Sequence, residues 1–165
     1  MSEDEALSAA LAGPLPGEHS ERLTLEDLAD TTGVSTTVLE VLAREGLLVP
    51  RSDDPAAPYT TADVDAVRAG LALMEAGVPL SELLALAREH DAAMRAVADR
   101  AVDLFARYVM DPIRGETESE AEASARMVAA LQAMLPAASA VVSHHVSRRL
   151  VAAARARIAG EGDPS

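Results

Sequence analysis

The stretch TTGVSTTVLEVLAREGLLVP, from Thr31 to Pro50, decides the fold. Gly33 interrupts it directly after a pair of threonines, and glycine is the residue that ends a helix in the left-handed conformation without a steric penalty. Ser35 stands where the next helix needs an N-cap, its hydroxyl placed to accept a backbone N–H one turn in. Val38, Leu39 and Leu42 then recur at helical spacing as a buried stripe, and Gly46 stops the helix. Upstream, Thr24 with Asp27 three residues later forms a variant capping box, and Leu25, Leu28 and Ala29 supply the inner face of the preceding helix. Two short helices around a glycine turn make a helix-turn-helix.

Working outward, VPRSDDPAAPY (Val49–Tyr59) carries prolines at 50, 55 and 58 and excludes helix, so it has the length of a hairpin wing or a loop. A helix follows, capped by Thr60 or Thr61, with Val64, Val67, Leu71 and Met74 facing inward and Gly77 closing it. From Leu80 the four-and-three spacing of Leu83, Ala87, His90, Met94, Val97, Ala101, Leu104 and Tyr108 predicts one long helix with a heptad seam. Asp111-Pro112 and Gly115 are expected to break it. Helix restarts from residue 116 with acid in its first turns, and Pro136 suits the first turn of a last helix running to about Ile158. No segment alternates like a strand. The expected fold class is all-α: a mobile leader over 1–20, a helix-turn-helix unit over 21–79, a long heptad helix over 80–112, a C-terminal helical region over 116–159 and a disordered tail over 160–165.

Composition narrows the function classes. Aromatic residues make up only 2% of a chain that is 49% hydrophobic, so Ala, Leu and Val must fill the interior, which favours close-packed helices. There is no cysteine, which excludes disulfides and thiolate metal sites. No apolar run is expected to approach the roughly 18 residues needed to cross a membrane, the acidic start lacks a signal-type basic region, and a cytoplasmic protein without a membrane partner is expected. All 14 cations are arginine and the net charge is −13, which works against non-specific attraction to nucleic acid.

The pieces LTLEDLADTTGVS, REGLLVP, YTTADVDAVR and LMEAGVPLSELLALA, together residues 23 to 87, resemble the MerR family of bacterial transcription regulators. The resemblance implies a winged helix-turn-helix that contacts DNA, a homodimer built through the long helix, and a C-terminal part that senses an effector. The segment MLPAASAVVSHHVSRRLVAAARARI looks more like the helical regulatory domains joined to some bacterial adenylate cyclases, which are linked to sensing pH or fatty acids. The chain also departs from the family pattern. Where typical members carry an Arg followed by aromatic residues on the second helix, this chain has Glu40, Val41 and Leu42, and no cation directly precedes Tyr59.

On that resemblance the DNA-contacting candidates are Thr36, Thr37, Glu40, Arg44, Arg51 and Tyr59. Between Leu23 and Leu83 there are three cations and eleven acids, giving −8, so phosphate contacts must rest on few residues. Glu40 could accept from a cytosine amino group once other contacts hold the helix in place. The alternative is an interaction or ligand-sensing module that keeps the fold without reading DNA. His90 on the seam is a candidate pH-responsive element. His144, His145 and Arg148 head the one cation-rich segment, and they are candidates for gripping an anionic head group of an amphipathic ligand or for docking onto the acidic helix-turn-helix. Adjacent histidines on one helix point about 100° apart, so no metal site is expected. No cofactor motif, nucleophile elbow or phosphate loop appears, and no catalytic residue is expected.

Overall fold

The computed structural model describes residues 3–13, 21–51, 53–116 and 119–161. The chain divides into two compact units, one holding residues 17–116 and the other residues 1–16 with 117–165.

In the first unit β1 (Arg22–Leu23) leads into α2 (Leu25–Thr32), α3 (Thr36–Arg44), β2 (Tyr59–Thr60), α4 (Thr61–Glu75) and α5 (Leu80–Phe105). The helix ends follow from the residues that cap them. Asp27 accepts from the Thr24 backbone N–H at 2.9 Å and from its hydroxyl at 2.8 Å, while the Asp27 N–H donates back to Thr24 Oγ1 at 3.1 Å. Gly33 ends α2 at φ 74°, and Ser35 Oγ accepts from the Val38 N–H to open α3. At the far end of α3 the Gly46 N–H donates to Ala43 O and the Leu47 N–H to Leu42 O at 2.9 Å, with Gly46 at φ 80°. That is a Schellman closure, which only glycine completes without strain. Thr60, rather than Thr61, caps α4, its N–H donating to the Asp63 carboxylate at 2.8 Å.

Leu28 and Leu39 are fully buried, and Leu48, Tyr59, Val64 and Val67 complete the core around them. The all-α expectation gains one small strand pair: β1 runs antiparallel to β2, with Leu23 opposite Tyr59. Among the described residues the segment between α3 and β2 contributes no strand pair of its own. It is a loop whose base is held when the Arg51 N–H donates to Pro58 O at 2.9 Å.

Two prolines behave differently from the sequence expectation. The long helix does not break at Asp111-Pro112: α5 passes through a π-helical turn, Ala106–Met110, into α6, Asp111–Glu116. Pro112 lies in the first turn of α6, directly after the wider turn, in which the Asp111 N–H reaches back to Ala106 O. Nor is α5 a free seam throughout. Ala87 is buried within its own chain while His90, Val97 and Leu104 are exposed, because the turn after α3 lies against this part of α5. Arg88 Nε pairs with Glu45 at 2.7 Å, and Gly46 abuts Asp91.

The second unit is built from α1 (Glu3–Leu11) and α7 (Glu120–Glu161). Residues 3–11 are thus helix, where the sequence predicts a mobile leader: Ala6 is buried, and α1 packs on the start of α7, where Ala123, Met127 and Leu131 are buried. Residues 14–20 and 162–165 lie outside the described residues. Pro136 sits inside α7 instead of opening a last helix. It removes one backbone hydrogen bond, at a cost of about 3 kcal/mol in a helix interior, and the Ala- and Leu-rich flanks carry the helix through.

The expectation that no stretch is long and apolar enough to cross a membrane is corrected here as well. α7 contains an 18-residue window of mean hydropathy 1.5 and is long and apolar enough to cross a membrane by length and composition. Gln132, Pro136, Ser139 and Ser143 break the apolar run, yet no Asp, Glu, Lys or Arg occurs between Arg126 and Arg148.

The capping box gives a pH prediction. Hydrogen bonds from the Thr24 backbone, then from its hydroxyl, hold the Asp27 carboxyl below its ordinary 3.8. A carboxylate depressed in the folded state stabilises it fully above the unfolded pKa, and that contribution is lost as pH falls through the folded value. Asp27→Asn should therefore flatten the dependence of the urea midpoint on pH below about pH 4 and leave its shape near neutrality unchanged. Circular dichroism at 222 nm along a pH series from about 2 to 7 reads this out.

Candidate nucleic-acid interface

α3 is fastened from beneath. Leu39 enters the core, and Leu42 and Ala43 pack against it. With about 100° between successive residues, Thr37, Glu40 and Arg44 then share the opposite face, flanked by Thr36. Thr37, Glu40 and Arg44 are exposed and Thr36 is half-buried. Four of the six DNA-contacting candidates are therefore brought together on one side of one helix. Arg44 is exposed and makes no ion pair among the described residues, so its guanidinium is available to an incoming anion. Glu40 lies one turn before it and places a negative charge in the middle of the surface.

The remaining two candidates are placed otherwise. Arg51 is largely covered, its side chain 11% exposed and its Nε donating to Asp53 Oδ1 at 3.0 Å. The other oxygen of the same carboxylate accepts from Arg22 Nη2 at 2.9 Å. Asp53 thus ties the wing loop to β1, and the Arg51 contact, more than the Arg22 charge, holds its carboxyl below the usual range. A phosphate could engage Arg51 only in competition with that carboxylate. Tyr59 belongs to the core at 5% exposure. Burial, with the nearby charges of Asp63 and Glu40 adding to it, raises its phenol pKa, so the ring anchors β2 instead of standing on the surface.

The Arg22–Asp53–Arg51 bridge is the feature that sequence reading misses. Its signal was the Asp53-Asp54 pair in a loop otherwise poor in hydrogen-bonding side chains, but nothing local says which arginine such a pair meets. Arg68, on α4, donates from Nη2 to Thr31 O at 3.4 Å at the end of α2, a C-terminal helix position that favours a cation.

His90 is exposed on α5, and His144, His145 and Arg148 are exposed on α7. Arg149 Nε donates to His145 Nε2 at 3.5 Å, within one helix. Neither the cleft beside Arg100 and Arg107 nor the groove between α1 and α7 involves any of the four.

The arrangement fits an element that lays one helix against a grooved, polar surface: a short helix held rigidly at both ends, with two hydroxyls, one carboxylate and one guanidinium facing out. No curated protein matches the chain. Residues 23–89 match the family described as MerR HTH family regulatory protein, a match that runs from the end of β1 through the whole helix-turn-helix and α4 into the first turns of α5.

Proposed function

We propose that the protein is a MerR-like, DNA-binding transcription regulator in which α3 enters the major groove through Thr36, Thr37, Glu40 and Arg44. The observation that carries this reading is the single exposed face formed by those residues on a helix whose opposite side is locked into the core, within the stretch that matches the family. Dimerisation through the exposed part of the α5 seam, from His90 to Leu104, belongs to the same reading and would present two copies of α3 to one duplex. A cytoplasmic location and a non-enzymatic role go with it. The resemblance of the C-terminal part to cyclase regulatory domains draws no support from the family match, which ends at residue 89. The sensing of an effector, through His90 on α5 and His144, His145 and Arg148 on α7, rests on residue type and exposure alone.

Mobility shifts with the protein's own promoter region across a salt series test the reading. The expected result is a complex at low salt with a shallow salt dependence, because so few cations face outward. Arg44→Ala should weaken binding about tenfold and flatten the slope of log K against log salt by about 1 for each phosphate no longer neutralised. Thr37→Ala should change preference among sequences more than overall affinity. Absence of any complex at low salt, with the folded oligomer verified, removes direct DNA recognition.

A second reading, a non-DNA-binding regulatory module, is favoured by one observation: Glu40 occupies the centre of the outer face while Arg51 is held by Asp53. Under it, Glu40→Gln leaves DNA binding absent and changes affinity for a protein partner or amphiphile instead.

A further inference from the structure

Among the described residues of its own unit α7 packs on α1 alone, and α1 is nine residues long against forty-two. Most of α7 therefore lies outside that contact: Leu150 is exposed, and Leu135, Val142 and Val146, on the same side of the helix, are half-buried. With about 100° per residue, Val128, Leu135, Ser139, Val142, Val146 and Ala153 fall within roughly 60° of one another, a continuous stripe along the helix. At its N-terminal end this stripe runs into a shallow groove between the two helices, lined by Ala6, Ala9 and Ala10 of α1 and by Ser124, Val128 and Gln132 of α7. Small side chains there let a third helix approach closely.

The charges at the two ends of this region are opposite. Glu116, Glu118, Glu120 and Glu122 precede or open α7 with no cation among them, and Arg148, Arg149, Arg155 and Arg157 occupy its last third with no acid among them. Between Arg126 and Arg148 there is no charged residue apart from the titratable His144 and His145.

We propose that α7 pairs antiparallel with α7 of a second copy of this chain, crossing near Ser139. The C-terminal third of each helix then lies in the α1–α7 groove of the other. In this register residue i faces residue 278 − i, so Arg157, which lies on the stripe, comes opposite Ala121, between the other copy's Glu120 and Glu122, about 27 Å from the crossing at 1.5 Å per residue. A parallel pair would instead set four arginines against four. Opposed helix dipoles favour the same choice. The contact is separate from the α5 seam, and it stands or falls without it.

The absence of cysteine makes the test direct. Facing Cα atoms of helices packed about 8–10 Å apart come within disulfide reach. Ser139→Cys in the full chain should convert to a disulfide-linked dimer on mild oxidation at low micromolar concentration. Leu150→Cys alone should not, because its two copies would be about 33 Å apart in the antiparallel register, but mixed with Val128→Cys it should yield the mixed dimer. Arg157→Glu, on the surface, should slow the Ser139→Cys reaction at least fivefold. Mixing with a Glu120→Arg, Glu122→Arg copy should restore it. No crosslink at Ser139→Cys in a protein that is dimeric by mass assigns the dimer to another contact and overturns the proposal. Self-crosslinking of Leu150→Cys overturns it in favour of a parallel pair. Flotation of the full chain with phosphatidylglycerol vesicles, with loss of the Ser139→Cys crosslink, gives the face to a bilayer and also overturns it.

Discussion

Replacing Leu39 by Ala is expected to lower the stability of the helix-turn-helix unit by about 3 kcal/mol, within the 2–5 kcal/mol typical of buried Leu→Ala changes. Leu39 is completely buried at the centre of α3 and shares its core with Leu28, which is equally inaccessible. The loss combines the transfer energy of the removed atoms with that of the cavity left in the core beside Leu28. A fall of this size is a large share of the 5–15 kcal/mol that keeps an ordinary domain folded. Val38, its neighbour on the same helix, is 38% exposed, and Val38→Ala should cost well under about 1 kcal/mol. Urea unfolding reads the contrast. The chain has no tryptophan and two tyrosines, and Tyr59 lies in this core whereas Tyr108 is exposed. Tyrosine fluorescence in a Tyr108→Phe background therefore follows the unit containing Leu39. Equal midpoints for Leu39→Ala and Val38→Ala would contradict the placement of α3.

The second large effect belongs to Gly46→Ala, for which about 2–3 kcal/mol is expected from two separable causes. Gly46 is left-handed at φ 80°, which costs an L-residue about 1 kcal/mol or more. A Cβ there would also overlap Cβ, Cγ and Oδ1 of Asp91 on α5. Because Asp91 Cβ is among the obstructing atoms, rotating the carboxylate away does not relieve the overlap, and the α3–α5 approach must open. Gly77 supplies the control: it is left-handed at φ 101°, with open space for 4 Å around the place a Cβ would take. Gly77→Ala should show the backbone cost alone. In a double-mutant cycle, Asp91→Gly should recover the difference between the two alanine variants. If Gly46→Ala costs no more than Gly77→Ala, the turn after α3 is not pressed against α5.

How much of this is visible in the sequence depends on how local the cause is. Thr24 with Asp27, Gly33, Ser35 and Gly46 act within one turn of chain, so their spacing carries their roles. The outward face of α3 follows from the same periodicity, and Thr36, Thr37, Glu40 and Arg44 are readable together for that reason. Arg51 and Tyr59 are not, because each depends on a distant element: Asp53, two residues from Arg51, is also held by Arg22, thirty-one residues before it, and the strand pair draws Tyr59 into the core. The prolines mislead for a related reason. A lone proline is a strong local signal against helix, yet Pro136 is outweighed by the good helix formers on either side, and Pro112 is accommodated by a change of helical pitch. The nine-residue α1 is hidden by its length, since a helix so short gains its stability from the surface it packs on.

That change of pitch has a geometric consequence. Phe105 and Ile113 are both buried and are eight residues apart, which on an unbroken α-helix would set them about 80° apart around the axis. One wide turn between them takes up roughly one extra residue, about 100° of winding, and brings the two side chains back to nearly the same bearing. The π-helical turn acts as a phase corrector: inserting or deleting a single residue between 105 and 113 would swing Ile113 out toward water while leaving every residue before it undisturbed.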